Sequence, residues 1–275
     1  MLSKLHIYTE KRLVFSRLEG KVAIITGGAR GIGESIARLF TKHGAKVIIA
    51  DILDDLGNSV CEDLGLELAS FVHCDVTIES DVENAVNTAV ATHGKLDIIV
   101  NNAAVIDKAK PCILDNDMFD FEKVISVNLT GVFLGTKHAA RAMIPARKGS
   151  IIMVGSVSSS IGGVASHAYT ASKHAVIGLT KNIAAELGQF GIRVNCVSPY
   201  LIPTKVALDF FNMNEDEPSS VYSNLKGVTL CSEDVAEAAL YLASEESKYV
   251  SGHNLALDGG VTVINPAFGL FARSN

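Results

Sequence analysis

Seven short apolar runs, at residues 22–26, 46–50, 68–73, 96–100, 150–155, 192–198 and 253–257, alternate with stretches of helical periodicity. They are apolar at consecutive positions, as in Val22, Ala23, Ile24 and Ile25, rather than at every second one. A strand with one face in water alternates polar with apolar residues, whereas a strand covered on both faces does not. The pattern predicts an α/β fold, a doubly wound parallel seven-stranded sheet with helices on both faces. The 275 residues, 48% of them hydrophobic, suffice for one sizeable core, and no linker or repeat divides them.

The first run leads into Thr26, Gly27, Gly28, Ala29, Arg30, Gly31, Ile32 and Gly33, then into the helical spacing of Ile36, Ala37, Leu39 and Phe40. Strand, glycine turn and helix make a Rossmann-like dinucleotide site. Gly27 and Gly31 free the backbone for a tight turn against a pyrophosphate, Gly33 lets the helix pack close, and the helix N-terminus offers unpaired N–H groups. A glycine cluster alone equally suits a generic turn. The second run, however, ends in Asp51, where such a site needs an acid for the adenosine ribose. A carboxylate there accepts from two free hydroxyls and repels a 2′-phosphate, so the cofactor is read as NAD. Arg30 could reach a phosphate in favour of NADP, or stand solvated in the turn.

Tyr169 and Lys173 are four residues apart and share a helix face. A cation about 4 Å from a phenol, at an effective dielectric near 20, is worth about 4 kcal/mol, or roughly three pKa units. That would make Tyr169 a base near neutral pH. Ser156 stands thirteen positions upstream at the end of a buried run, placed to donate to the same oxygen. The pair also suits an ordinary amphipathic helix with a solvated lysine.

Taken together, these residues resemble the short-chain dehydrogenases/reductases from about Leu18 to Val263. The matching pieces, in family order, are the glycine turn, Asp51, Asp75 with Val76, Asn101 to Ala103, Asn128, Ser156, the Tyr169 and Lys173 pair, Pro199 and Thr204. The resemblance implies that Asp75 and Val76 hold the adenine, and that Asn101, Asn102 and Ala103 line the cofactor floor. Pro199, Ile202 and Thr204 would meet the nicotinamide carboxamide. Ionised Tyr169 would take the hydroxyl proton, Lys173 would bind the nicotinamide ribose, Ser156 would stabilise the developing oxyanion, and Asn128 would hold a relay water; the alternative for Asn128 is a helix residue bonded to its own backbone. Two positions depart from the family pattern: Ala104 and Tyr200 stand where glycine is usual. Stretches 166–173, 197–200 and 258–260 resemble the plant specialised-metabolism branch of borneol, isopiperitenol, secoisolariciresinol and xanthoxin-type dehydrogenases. That branch implies a hydrophobic secondary alcohol, first a cyclic monoterpenoid, then a lignan, sesquiterpenoid or steroid-like one.

The segment at about 204–228 would cover the substrate, with Val206, Leu208, Phe210, Phe211 and Met213 as an apolar wall; alternatively it packs on the core as a helix. Ser158 and Tyr200 are further substrate candidates. A different class of reading is a non-redox cyclase or scaffold that keeps the NAD site. A serine hydrolase is disfavoured because Ser156 lacks the G-x-S-x-G elbow.

The net charge of −6 without a basic cluster argues against nucleic-acid or anionic-membrane partners. No run reaches the ~18 apolar residues of a membrane span. The five cysteines lack C-x-x-C spacing and read as reduced thiols of a cytoplasmic protein, and the eight histidines lack metal-ligand spacing, so no metal is expected. Residues 1–17 read as a flexible basic N-terminal arm, with plastid targeting as the alternative. The apolar tail at 264–275, with Phe268, Leu270 and Phe271, suggests a subunit contact within a homotetramer.

Overall fold

A computed structural model describes residues 16–108, 110–212 and 225–264. The strands are β1 (Val22–Thr26), β2 (Lys46–Asp51), β3 (Ala69–His73), β4 (Ile98–Asn101), β5 (Gly149–Val154), β6 (Ile192–Pro199) and β7 (Asn254–Leu257). They form one sheet in the order β3-β2-β1-β4-β5-β6-β7, and every pairing is parallel. All seven expected strands are present. The fourth starts two residues later than the apolar run, at Ile98, after Asp97, whose backbone bonds Val22 and Ser150 and whose carboxylate accepts from the Val22 N–H and pairs with Lys95.

The helices are α1 (Gly31–Lys42), α2 (Asp54–Leu64), α3 (Glu79–His93), α4 (Met118–Ile125), α5 (Val132–Met143), α6 (His167–Leu187), α7 (Lys205–Phe211) and α8 (Ser232–Ala243). The continuous apolar runs now have a structural cause. Ala23, Ile25, Val47, Ile49 and Val100 point to a core shared with α1, α2 and α8, while Val22, Ile24, Ile48, Ala50 and Ile99 point to a second core under α3, α5 and α6. Because successive strand residues face opposite sides, both kinds of position must be apolar.

The fold begins slightly before the expected boundary at Leu18. Ser16 donates to the His43 carbonyl and Arg17 pairs with Glu246, so these two residues do not belong to a flexible arm. The rest of the arm at 1–15, the stretch 213–224 with Met213, and the tail at 265–275 lie outside the described residues.

Strand order reverses between β1 and β4, and this decides where a site can form. Connections leave those two strands in opposite directions and open a crevice beyond their carboxyl ends. Gly27, Asn102 and the other residues that follow these ends line a cavity of about 1150 Å³.

Candidate active site

Sterics and backbone conformation explain the glycine turn. Gly27 has φ +64°, and a Cβ there would lie 2.8 Å from the Ala103 Cα. A Cβ on Gly33 would come within 2.1 Å of the Gly27 carbonyl oxygen, so close contact between α1 and the turn requires glycine. Gly31, also at positive φ, faces Thr204, whose Cγ2 would be 3.6 Å from an added Cβ. A side chain there would enter the gap between the turn and α7. The turn is held from below: the Thr26 hydroxyl accepts from the Asn102 and Ala103 N–H groups, and the Asn102 amide donates to the Thr26 and Gly27 carbonyls. Thr26 was missed in the sequence, although a polar residue closing an apolar run was its signal.

Asp51 is buried at the end of β2, its two oxygens accepting from the Ala29 and Leu53 N–H groups at 3.0 and 3.1 Å. It therefore fixes the glycine turn as well as facing the cavity. Asp75 folds its carboxylate onto Thr77, and with Val76, Arg30 and Ile32 it borders the same space. At the far side stand Pro199, Ile202 and Thr204, which caps α7. All the expected cofactor residues except Gly33 and Asn101 thus converge on one cavity; Gly33 lies in the first turn of α1, and Asn101 is buried at the end of β4 with its amide donating to the Thr136 hydroxyl. The glycine cradle, the buried acid at the β2 exit and the volume fit a dinucleotide with room for a further small molecule.

Ser156, Tyr169 and Lys173 meet on the adjoining wall. The Ser156 hydroxyl hydrogen-bonds the Tyr169 phenol and draws its pKa down, but burial outweighs this and pushes it up to about 12. Lys173 is 2% exposed, its Nζ donating to the Val154 carbonyl at 2.8 Å and lying 5.4 Å from the centre of the Tyr169 ring. Burial lowers its pKa to about 8. The expected depression of the phenol by the lysine is therefore corrected. The amine does stand over the ring, but both groups lose water on burial, and that cost exceeds their mutual help.

Two further candidates lie behind the cavity wall. Asn128 is fully buried in a π-helical turn, Ser126–Gly131, between α4 and α5. Its amide oxygen accepts from the Val105 N–H and its nitrogen donates to the Val105 carbonyl, both at 2.8 Å. The side chain clamps a cavity-lining loop, instead of bonding its own helix or reaching into the cavity. Ser158, expected at the substrate, points inward from the turn Val157–Ser159, is fully buried and does not line the cavity. Its N–H instead donates to the Ser156 Oγ at 3.2 Å.

At the open end, Tyr200, Phe210 and Phe211 do line the cavity, with the two phenylalanine rings edge to face at 4.8 Å. The segment after Thr204 is helical over 205–211 and walls the cavity, and none of its described side chains belongs to either core. Among the described residues, no group of histidine, cysteine and acidic side chains could hold a metal, no helix is long and apolar enough to cross a membrane, and all five cysteines are free.

The comparisons agree with this geometry. A family model described as enoyl-(acyl carrier protein) reductase matches residues 27–262. Secoisolariciresinol dehydrogenase of Forsythia intermedia is 59% identical over 259 residues, covering 93% of this chain and 94% of that protein. A mitochondrial borneol dehydrogenase of Lavandula x intermedia is 58% identical over 258 residues, covering 94% and 96%. Among solved structures, a 3-ketoacyl-(acyl-carrier-protein) reductase from Brucella melitensis complexed with NADH superposes with a TM-score of 0.83 at 33% identity, covering 90% of this chain and all of that one. With its seven-stranded parallel sheet, glycine cradle and Ser156, Tyr169 and Lys173 on one cavity wall, the chain belongs to the short-chain dehydrogenases/reductases, a family of nicotinamide-dependent oxidoreductases.

Proposed function

We propose that the protein oxidises a hydrophobic secondary alcohol to a ketone, reversibly and with NAD, and that the alcohol is a cyclic monoterpenoid such as borneol or isopiperitenol. The observation that carries this is the meeting of Ser156, Tyr169 and Lys173 on a cavity whose other end is walled by Tyr200, Phe210 and Phe211. Apolar rings suit a compact hydrocarbon skeleton and offer nothing to a phosphate or thioester carrier. Lignan, sesquiterpenoid and steroid-like alcohols are the next substrates in order.

The glycine turn, Asp51, Asp75 and the 199–204 segment would hold the cofactor. Bound NAD supplies the hydride acceptor for oxidation and the donor for the reverse direction. Tyr169 takes the carbinol proton at its phenolic oxygen, or returns it to the ketone. Ser156 donates to the oxygen on which charge develops, its own Oγ held by the Ser158 N–H. Lys173 places a cation beside the phenol, and although burial lowers its pKa to about 8 the amine still carries its charge at neutral pH. Preference for NAD follows from Asp51, whose carboxylate would face a 2′-phosphate with like charge.

Incubating the protein with borneol, isopiperitenol and a lignan diol while following nicotinamide absorbance tests this directly. Turnover of a monoterpenol is expected, with NAD preferred to NADP by about tenfold or more, the effect of one like-charge contact of about 1.4 kcal/mol. Cofactor binding without turnover across the panel would instead favour the non-redox scaffold.

In this reading the protein is a cytoplasmic homotetramer. Leu114, Met118 and Phe119 are 88%, 67% and 74% exposed on and before α4, an apolar surface that water leaves unsatisfied. A mass measurement in solution at micromolar concentration is expected to show four subunits, and a monomer would refute the assembly.

A further inference from the structure

We infer that Asp107 is a positioning residue for Tyr169, tying the cavity-lining loop after β4 to the turn of α6 that carries the phenol. The inference rests on Tyr169 being the base of the proposed reaction.

Ser166 caps α6, its buried Oγ accepting from the Tyr169 N–H at 3.2 Å. The same hydroxyl donates to Asp107 Oδ1. A serine hydroxyl has one proton to give. Committing it to Asp107 turns the oxygen lone pairs toward the helix, so the carboxylate locks the cap in the orientation that holds the Tyr169 N–H. A carboxylate is also favourably placed near a helix N-terminus.

A second route reaches the other side of the same residue. Ser172, fully buried, donates to the Tyr169 carbonyl at 2.7 Å and accepts from the Asn128 amide nitrogen at 3.2 Å. Asn128 in turn grips both backbone groups of Val105. The Tyr169 N–H is thus connected to residue 107 of the loop and the Tyr169 carbonyl to residue 105. Val105 itself and Ile106, between the two anchors, face the cavity. The wall that meets the substrate and the turn that carries the phenol therefore move as one body. A substrate that displaces Val105 or Ile106 displaces the base, so the loop reads substrate shape as the geometry of proton transfer. Neither Asp107 nor Ser166 stands out in the sequence, because the contact spans 59 positions.

The test compares the wild type with Asp107→Ala, Asp107→Asn and Ser166→Asp, using borneol and NAD for kinetics and amide hydrogen exchange across residues 167–173 as a readout independent of turnover. Asp107→Ala is expected to lower kcat about tenfold with KM for NAD unchanged, well inside the ~10²-fold cost of a 1 Å misplacement, and to speed Tyr169 amide exchange. Asp107→Asn keeps an acceptor for the Ser166 hydroxyl and should retain wild-type kcat. Ser166→Asp keeps a good helix cap but sets two carboxylates against each other, so it should lose kcat like Asp107→Ala while its amide stays protected. The two losses should not multiply when combined, since they break one contact.

Wild-type kcat and exchange in Asp107→Ala would overturn the inference. So would wild-type kcat in Ser166→Asp, which decides the matter if Asp107→Ala does not fold. An equal loss in Asp107→Asn, or losses that multiply, would overturn it as well. Full turnover in Tyr169→Phe would instead remove the proposed reaction, while leaving the exchange result to report on the tether alone.

Discussion

Replacing Tyr169 by phenylalanine is expected to lower kcat for NAD-dependent borneol oxidation by about 10³-fold, within the range of general acid–base catalysis. Only the hydroxyl is lost. The ring keeps its partly covered seat against Lys173, and the glycine cradle and Asp51 are untouched, so NAD affinity by calorimetry should hold within about twofold, or ~0.4 kcal/mol. The pH dependence follows from the raised phenol. Pushed up to about 12 by burial, it is protonated at neutral pH and ready to donate to a ketone oxygen. Oxidation needs the ionised form, so its rate should climb as pH rises from neutrality, while reduction should not gain. Both that climb and the bulk of turnover should vanish in the phenylalanine variant. Residual activity above about a tenth of wild type would reject Tyr169 as the base.

Lys173→Met is expected to abolish most turnover and yet make the protein more heat-stable. The lysine is 2% exposed, and burial lowers its pKa from 10.5 to about 8. Its folded pKa lies below the unfolded value, so the stability it contributes is present above 10.5 and lost as pH falls through about 8. At neutral pH the buried ammonium costs about 3 kcal/mol, from a shift of roughly 2.5 units at 1.36 kcal/mol each. Methionine fills similar volume without charge. Losing the bond to the Val154 carbonyl returns about 1 kcal/mol, leaving a gain of about 2 kcal/mol. For a chain of this size that is roughly 4–8 °C in Tm. Calorimetry at neutral pH and again above pH 10.5 should show the gain shrinking at the higher pH, where the wild-type lysine is already neutral in both states. A variant that melts below wild type at neutral pH would contradict the cost assigned to this side chain. Such a group, unfavourable to the fold, is what the proposed reaction requires, since it uses the charge.

The site was legible where local chemistry carries it. Gly27, Gly31, Gly33 and Asp51 sit at the ends of strands, where a turn conformation or a single carboxylate has one main use, and Tyr169 and Lys173 are brought together by helical spacing alone. Asn128 was recognised by its place in the family pattern, but its contact with Val105 was not foreseeable, since the two are 23 positions apart and meet only through the π-helical turn. Ser158 was misplaced because, of two serines two residues apart in a tight turn, Ser156 lines the cavity and Ser158 is buried behind it, which their sequence does not distinguish. The phenol's pKa failed for a different reason: a pairwise Coulomb estimate knows the spacing of two charges, but not the water each has lost.

The sequence by itself determined the sheet, its parallel sense, the glycine turn and the pairing of Tyr169 with Lys173, because each depends on side-chain periodicity or on contacts within a few residues. Tertiary structure alone decided how deeply Tyr169 and Lys173 are desolvated, and which loop grips the phenol's turn. Those outcomes depend on which distant segments pack together, and so on burial and contact that residue order does not encode locally.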